Sequence, residues 1–352
     1  MAQIRYYRIF DIGRDIDLDR LEAALAQSHA ISRAGFLRIK PKSIMMESPP
    51  LQLRLGPVAI NAGDRSVEMD TVARIYDVGV ISLCFIAGEL STGSMEEIGF
   101  LFAGQEGLSG HFSEKLSAVH QILAPHLPKI TVDPAFFEDY TIFVTDRPGE
   151  PGDPSPLLLG DRAPVSLAIR EETLRYSLSY REDDLVILSW DAALLVNPEP
   201  PTDLLDLIEY ANVQVFELRY YDRELAHQME RMYGEMEQAD RMTGFRRMRR
   251  YHVIMAEIME IYAEISEIIE KVNNLIKVTE DVYYAKVYAT ALTVFRSGPW
   301  SKSVTRKIEV LRNNYSMLSD EVRIQHSYFL EWVIIILIAL EFSLAIWQYF
   351  SS

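Results

Sequence analysis

The stretch NPEPPTD, residues 197–203, divides the chain into two parts with different patterning. Its prolines cannot continue a strand ladder, while Thr202 and Asp203 are residue types that open helices. Upstream, short segments alternate between the periods of strands and helices. IRYYRIFDI (4–12), PLQLRLGPVAI (50–60) and DYTIFVTDR (139–147) read as strands; DLDRLEAALAQ (17–27) and SEKLSAVHQILAPHL (113–127) read as helices. SVEMDTVARIYDVGVISLCFIAGEL (66–90) is rich in β-branched residues and predicts two strands. YSLSYREDDLVILSWDAALLVN (176–197) predicts a hairpin turning at Arg181 to Asp184. RPGEPGDPSP (147–156) is too rich in Pro and Gly for regular structure. Residues 1–198 are therefore expected to form a mixed α/β domain, and the whole chain falls in the α+β class.

Downstream, apolar residues recur at spacings of four and three. Leu204, Ile208, Ala211, Val215, Leu218, Leu225, Met229, Met232 and Met236 form one run, broken by Asp222. Ile254, Ile258, Ile261, Ile265, Ile268, Val272, Leu275, Thr279 and Val282 form a second, expected to end at RSGPW (296–300). Val304, Ile308, Leu311, Tyr315, Leu318 and Val322 form a third. Residues 199–328 thus predict long helices of coiled-coil character, turning near Gly244 and Gly298. Two packings fit: an antiparallel bundle within one chain, or a stalk joining several chains. Isoleucine at both core positions from Ile254 to Ile268 favours more than two strands in a parallel stalk, which makes these residues a candidate oligomer seam.

The third run leads into FLEWVIIILIALEFSLAIWQYF (329–350), so residues 329–352 predict a single C-terminal transmembrane anchor. Trp332 to Phe350 approaches the ~20 residues needed to cross a hydrocarbon core. Trp332 and Trp347 lie where an aromatic belt would, and Glu331 suits an interface. Glu341 falls near the middle, where a carboxylate costs roughly 2.5–3.5 kcal/mol, about what the Val, Ile, Leu and Phe side chains around it return. That cost falls if Glu341 meets Ser343 or Gln348 across a helix–helix contact, which links the anchor to assembly. The alternative is a buried helix of a soluble bundle.

Composition narrows the chemistry. The net charge of -16 argues against binding nucleic acid over the whole surface. Cys84 is the one cysteine, which excludes an internal disulfide and suggests a core thiol in a reducing compartment. Asp15, Asp17 and Asp19 imitate a calcium loop, but Arg20 and Ala26 stand where Gly and a bidentate acid are needed, so helix capping explains them better. His111, His120 and His126 lack ligand spacing. No phosphate-binding loop, nucleophile elbow or zinc motif occurs, so no cofactor, metal or catalytic residue is expected. Against the acidic background, Arg241, Arg246, Arg247, Arg249 and Arg250 cluster around TGFRRMRR (243–250) as a candidate patch for lipid head groups or RNA. In an up-down-up arrangement this tip lies at the membrane end.

The order of parts, the FLEWVIIILIALEF segment (Leu330, Glu331, Trp332, Glu341) and the strand ARIYDVGVISLCFIAGE (73–89) resemble the required-for-meiotic-nuclear-division family. That resemblance implies a membrane-anchored homo-oligomer with no established enzymatic activity, acting as a scaffold linked to translation. The expectation is a single-pass protein of the inner (cytoplasmic) membrane with its N-terminal domain in the cytoplasm, partnered by itself, the bilayer and an unknown protein, with the ribosome as a further candidate. The alternatives are an enzyme or ligand-dependent regulator with a pocket in residues 1–198, and an oligomeric channel lined by Glu341.

Overall fold

The first strand, β1 (Ala2–Asp11), sets the layering of the domain. Ile4, Tyr6 and Phe10 point to one side, Tyr7 to the other, and all are buried, so the strand is covered on both faces. In the computed structural model the described residues are 2–13, 16–26, 31–33, 44–45, 48–62, 65–127, 132–242, 244–273, 277–278 and 281–351.

After β1 come α1 (Leu18–Leu25), β2 (Ile31–Arg33), β3 (Ile44–Met45), β4 (Leu51–Ala62), β5 (Arg65–Ile75) and β6 (Val80–Leu90). Asp17 caps α1 by accepting from Arg20 N at 3.0 Å, the capping role expected of the aspartate cluster; Asp15 lies outside the described residues. Next are α2 (Thr92–Leu101), a 3-10 turn (Ala103–Leu108), α3 (Ser109–Leu123), β7 (Phe137–Thr145), α4 (Ser155–Leu159), α5 (Leu167–Thr173), β8 (Ser177–Leu178), β9 (Leu185–Leu188) and β10 (Ala192–Val196). The nine-stranded sheet runs β2-β4-β5-β6-β1-β7-β10-β9-β8. Among the described residues only the β7–β10 pair is parallel. Pro57 sits in β4 beyond its short pairing with β2, on an edge where a missing donor costs nothing.

One face packs on α1, α2, α3 and α4 through Leu21, Ile98, Phe112, Leu116 and Leu157. Gly99 permits this: a Cβ there would stand 2.7 Å from Leu157 Cδ1 and 2.8 Å from a Phe143 ring carbon. The opposite face is covered by α6 (Thr202–Asp240) and by α8 (Val282–Val294), through Leu204, Ile208, Ala211, Val287 and Ala291 against Tyr140, Ile142, Val186 and Leu195.

Two helices complete the chain, α7 (Phe245–Asn273) and α9 (Ser297–Ser351), with β11 (Lys277–Val278) paired to β3. The second heptad run is not one helix to Val282. It stops at Asn273, and Asp281 starts α8 by accepting from Tyr283 N (2.9 Å) and Tyr284 N (3.1 Å). Pro299 falls in the first turn of α9, where a missing donor is tolerated. Gly244, at φ 57°, makes the expected turn between α6 and α7.

The chain forms two compact units: residues 1–220 with 270–300, and residues 221–269 with 301–352. The boundary drawn at 198 falls just before α6, whose first turns belong to the first unit. The observed class is α+β, a mixed sheet followed by helices, one of them ending in an apolar stretch.

Candidate functional site

Helix α6 brings polar groups onto the sheet at a spacing of three. Asp203, Asp206, Glu209 and Asn212 are 8%, 2%, 4% and 4% exposed. Asp206 and Glu209 both grip Arg74 of β5, at 2.7 and 2.6 Å, and Tyr76 donates to Glu209 Oε1 at 3.1 Å. Burial pushes the Glu209 carboxyl above its ordinary range, and Arg74 only partly opposes this. Beside the cluster is a cavity of about 440 Å³ lined by Arg5, Tyr7, Arg54, Asp70 and Cys84. Burial pushes the Cys84 thiol up to about 12, so it is no nucleophile at neutral pH.

Nine residues after Asp203, at Asn212, the polar stripe reaches a second cavity of about 270 Å³. Its walls include Trp190 from the β9–β10 turn, Phe216 of α6, Phe295 at the end of α8 and Trp300. Asn212 lies at its base, and no hydrogen bond among the described residues engages its amide. At the side, Arg219 of α6 pairs with Glu138 of β7. Burial raises the Glu138 carboxyl, with Arg219 opposing. The Arg219 guanidinium lies 5.8 Å from the Trp300 ring centroid, and that of Arg296 lies 4.7 Å from the Trp190 centroid. Arg296 has φ 57°, a left-handed conformation unfavourable for any residue but Gly. The sequence reading missed this slot. Its legible signal was the polar stripe at 203, 206, 209 and 212, which looks like a solvated helix face until a sheet covers it.

Among the described residues no His, Cys, Asp or Glu group could hold a metal ion. The groups that line the slot are aromatic rings, an amide and a guanidinium–carboxylate pair.

In the second unit, Arg241 pairs with Glu237 (2.6 Å), Arg250 with Glu235 (3.3 Å) and Arg247 with Glu321 of α9 (3.1 Å), while Arg246 and Arg249 are exposed. The arginine tip is thus partly neutralised. Glu321 precedes the apolar stretch from Phe329 by eight residues, roughly 12 Å of helix. Of the isoleucine seam, Ile254, Ile258 and Ile265 are buried by their own chain and Ile261 is half-buried; the side chain of Ile268 lies outside the described residues. Lys307 of α9 holds Asp222 of α6 at 2.8 Å, which ties these helices together within the unit. Glu331, Trp332, Glu341 and Trp347 are all exposed, and Glu341 has no partner among the described residues. The most apolar window of α9 has a mean hydropathy of 1.5, and none of it is buried.

These features define an α+β domain followed by a helical unit with a bare apolar end. The family described as "Uncharacterized protein MJ0711, N-terminal domain" matches residues 1–202, and the chain belongs to that family. It is 25% identical over 236 residues to "Uncharacterized protein MJ0711" of Methanocaldococcus jannaschii, covering 63% of this chain and 69% of that protein. No solved structure matches. The match replaces the resemblance to the required-for-meiotic-nuclear-division family, to which nothing in these comparisons points. That resemblance rested on Leu330, Glu331, Trp332 and Glu341, and aromatic or acidic residues recur in many apolar segments for the reasons of interface chemistry alone. The link to translation came with it and goes with it.

Proposed function

We propose that the protein is a membrane-anchored binding protein, held in the cytoplasmic membrane by the C-terminal part of α9, with its other parts in the cytoplasm. The bare apolar helix carries this reading. Trp332, Ile336, Leu337, Ile338 and Phe342 are between 53% and 68% exposed, and soluble monomers rarely show water a continuous apolar surface of that kind. Arg312 and Arg323 precede the stretch, consistent with a cytoplasmic flank. The exposed Arg246 and Arg249 suit anionic head groups. Because the Ile254–Ile265 seam is spent inside the chain, self-association is assigned to the anchor rather than to a coiled-coil stalk. There Glu341 would meet the polar side chains of a second copy and a scaffold would follow from the pairing.

The test is carbonate extraction of membranes holding the full chain or residues 1–328, then light scattering in detergent. The full chain should resist extraction and residues 1–328 should be released. Glu341→Leu should stay in the membrane but shift from dimer or higher oligomer to monomer. A full chain that is soluble without detergent would end the reading.

A further inference from the structure

The slot lined by Trp190 and Trp300 has beside it two polar groups that are unpaired among the described residues. Asn212 is 4% exposed, yet its amide engages no group of the protein among the described residues. The little surface Asn212 keeps lines the slot, where a guest could pair with its amide. Arg296 holds a left-handed conformation at the end of α8, a position where Gly is the usual residue. Its guanidinium stacks on Trp190 and pairs with no carboxylate among the described residues. An amide and a guanidinium that are unpaired among the described residues, beside one aromatic cavity, offer a ligand its polar contacts.

The chemistry of the lining selects that ligand. Indole faces attract a flat π-system. A side-chain amide offers one donor and one acceptor side by side, the complement of a heterocycle edge bearing both. Of the charged groups in the lining, Arg219 and Glu138 pair with one another, and Arg296, over the Trp190 ring, is available for an anion. The volume of about 270 Å³ lies just under the ~300–1,000 Å³ usual for whole drug-sized ligands, so the ring enters and the charged end stays at the rim. We propose that this slot binds a nucleoside phosphate, with the base against the tryptophans, its edge on Asn212 and the phosphate at Arg296. This stands apart from membrane anchoring, and it would hold for a soluble form of the chain.

The experiment is calorimetric titration of the detergent-solubilised full chain with AMP, GMP, CMP and UMP, and with the four matching nucleosides. At least one nucleotide should bind saturably. Asn212→Leu should weaken that nucleotide and its nucleoside alike, by roughly tenfold or more, the loss of one hydrogen-bonding group. Arg296→Gly should weaken the nucleotide and leave the nucleoside unchanged. Arg296→Gly should melt at the parent's temperature or higher, because Gly suits the left-handed position, and Asn212→Leu, which loses no hydrogen bond of the protein, should melt close to the parent. That readout separates lost binding from lost folding. No saturable binding by any of the eight compounds, or affinity unchanged in Asn212→Leu, would overturn the proposal.

Discussion

Arg74 shows how one side chain organises a buried polar centre. It donates to Asp206 and Glu209 of α6, and among the described residues no second cation is paired with either carboxylate. Burial has the larger effect on Glu209 and keeps its carboxyl above the ordinary range. Between that ordinary value and the raised one, the folded chain holds a proton that the unfolded chain has released. Stability must therefore fall as pH rises through the interval. Glu209→Gln has no such proton and should flatten that part of the slope. Urea midpoints of residues 1–328, taken from about pH 4 to about pH 8, check this around the ordinary carboxylate value. An identical slope in the variant would mean that Glu209 is ionised in the fold. This centre was not legible in the sequence. The sequence analysis did not single out Asp206 and Glu209, and only the sheet register, which sets Arg74 opposite Gln52 and Ser82, brings their cation beneath them.

At the scale of elements, periodicity was informative where a segment meets one neighbour along its length. The strands at 50–60, 66–90 and 139–147, and the helices at 17–27 and 113–127, stand where alternation and three-four spacing predict them. It failed where two elements share one apolar rhythm. The run from Ile254 to Val282 keeps its spacing from α7 to the first residue of α8, with Leu275 and Thr279 outside the described residues, and Val282 is exposed, so the spacing there marks neither one helix nor burial. Local chemistry marks the true restart: Asp281 caps α8. Within α7 the rhythm reports packing. Ile258 is 1% exposed in the second unit, and Ile258→Ala should cost about 2–5 kcal/mol, the usual range for such a truncation. Exposed Met259, its neighbour on the outer face, should tolerate Met259→Ala with a change within about 0.5 kcal/mol. Thermal melts of residues 1–328 carrying each change compare the two, and equal losses would mean the seam is not a core.

At the scale of the whole molecule, the family match and the folding unit have different limits. The match ends at residue 202, yet the first unit continues to 220 and takes in 270–300. The reason lies in the sheet. Tyr7, Tyr140, Ile142, Val186, Leu188 and Leu195 are buried, and their face is closed by Leu204, Ile208, Val287 and Ala291, all beyond residue 202. A sheet with one covered face keeps its register, but the open face would present a broad apolar surface to water. The alignment with the Methanocaldococcus jannaschii protein, 236 residues long, is itself longer than the 202-residue domain, so the similarity is not confined to the strands. Residues 1–202 expressed alone should therefore aggregate or bind ANS strongly, whereas residues 1–328 should do neither. A monomeric 1–202 fragment with a dispersed amide spectrum would show instead that the strands and α1–α5 fold without α6 and α8. The covering helices would then be an addition to a self-sufficient domain, and the polar stripe of α6 a device acquired with them.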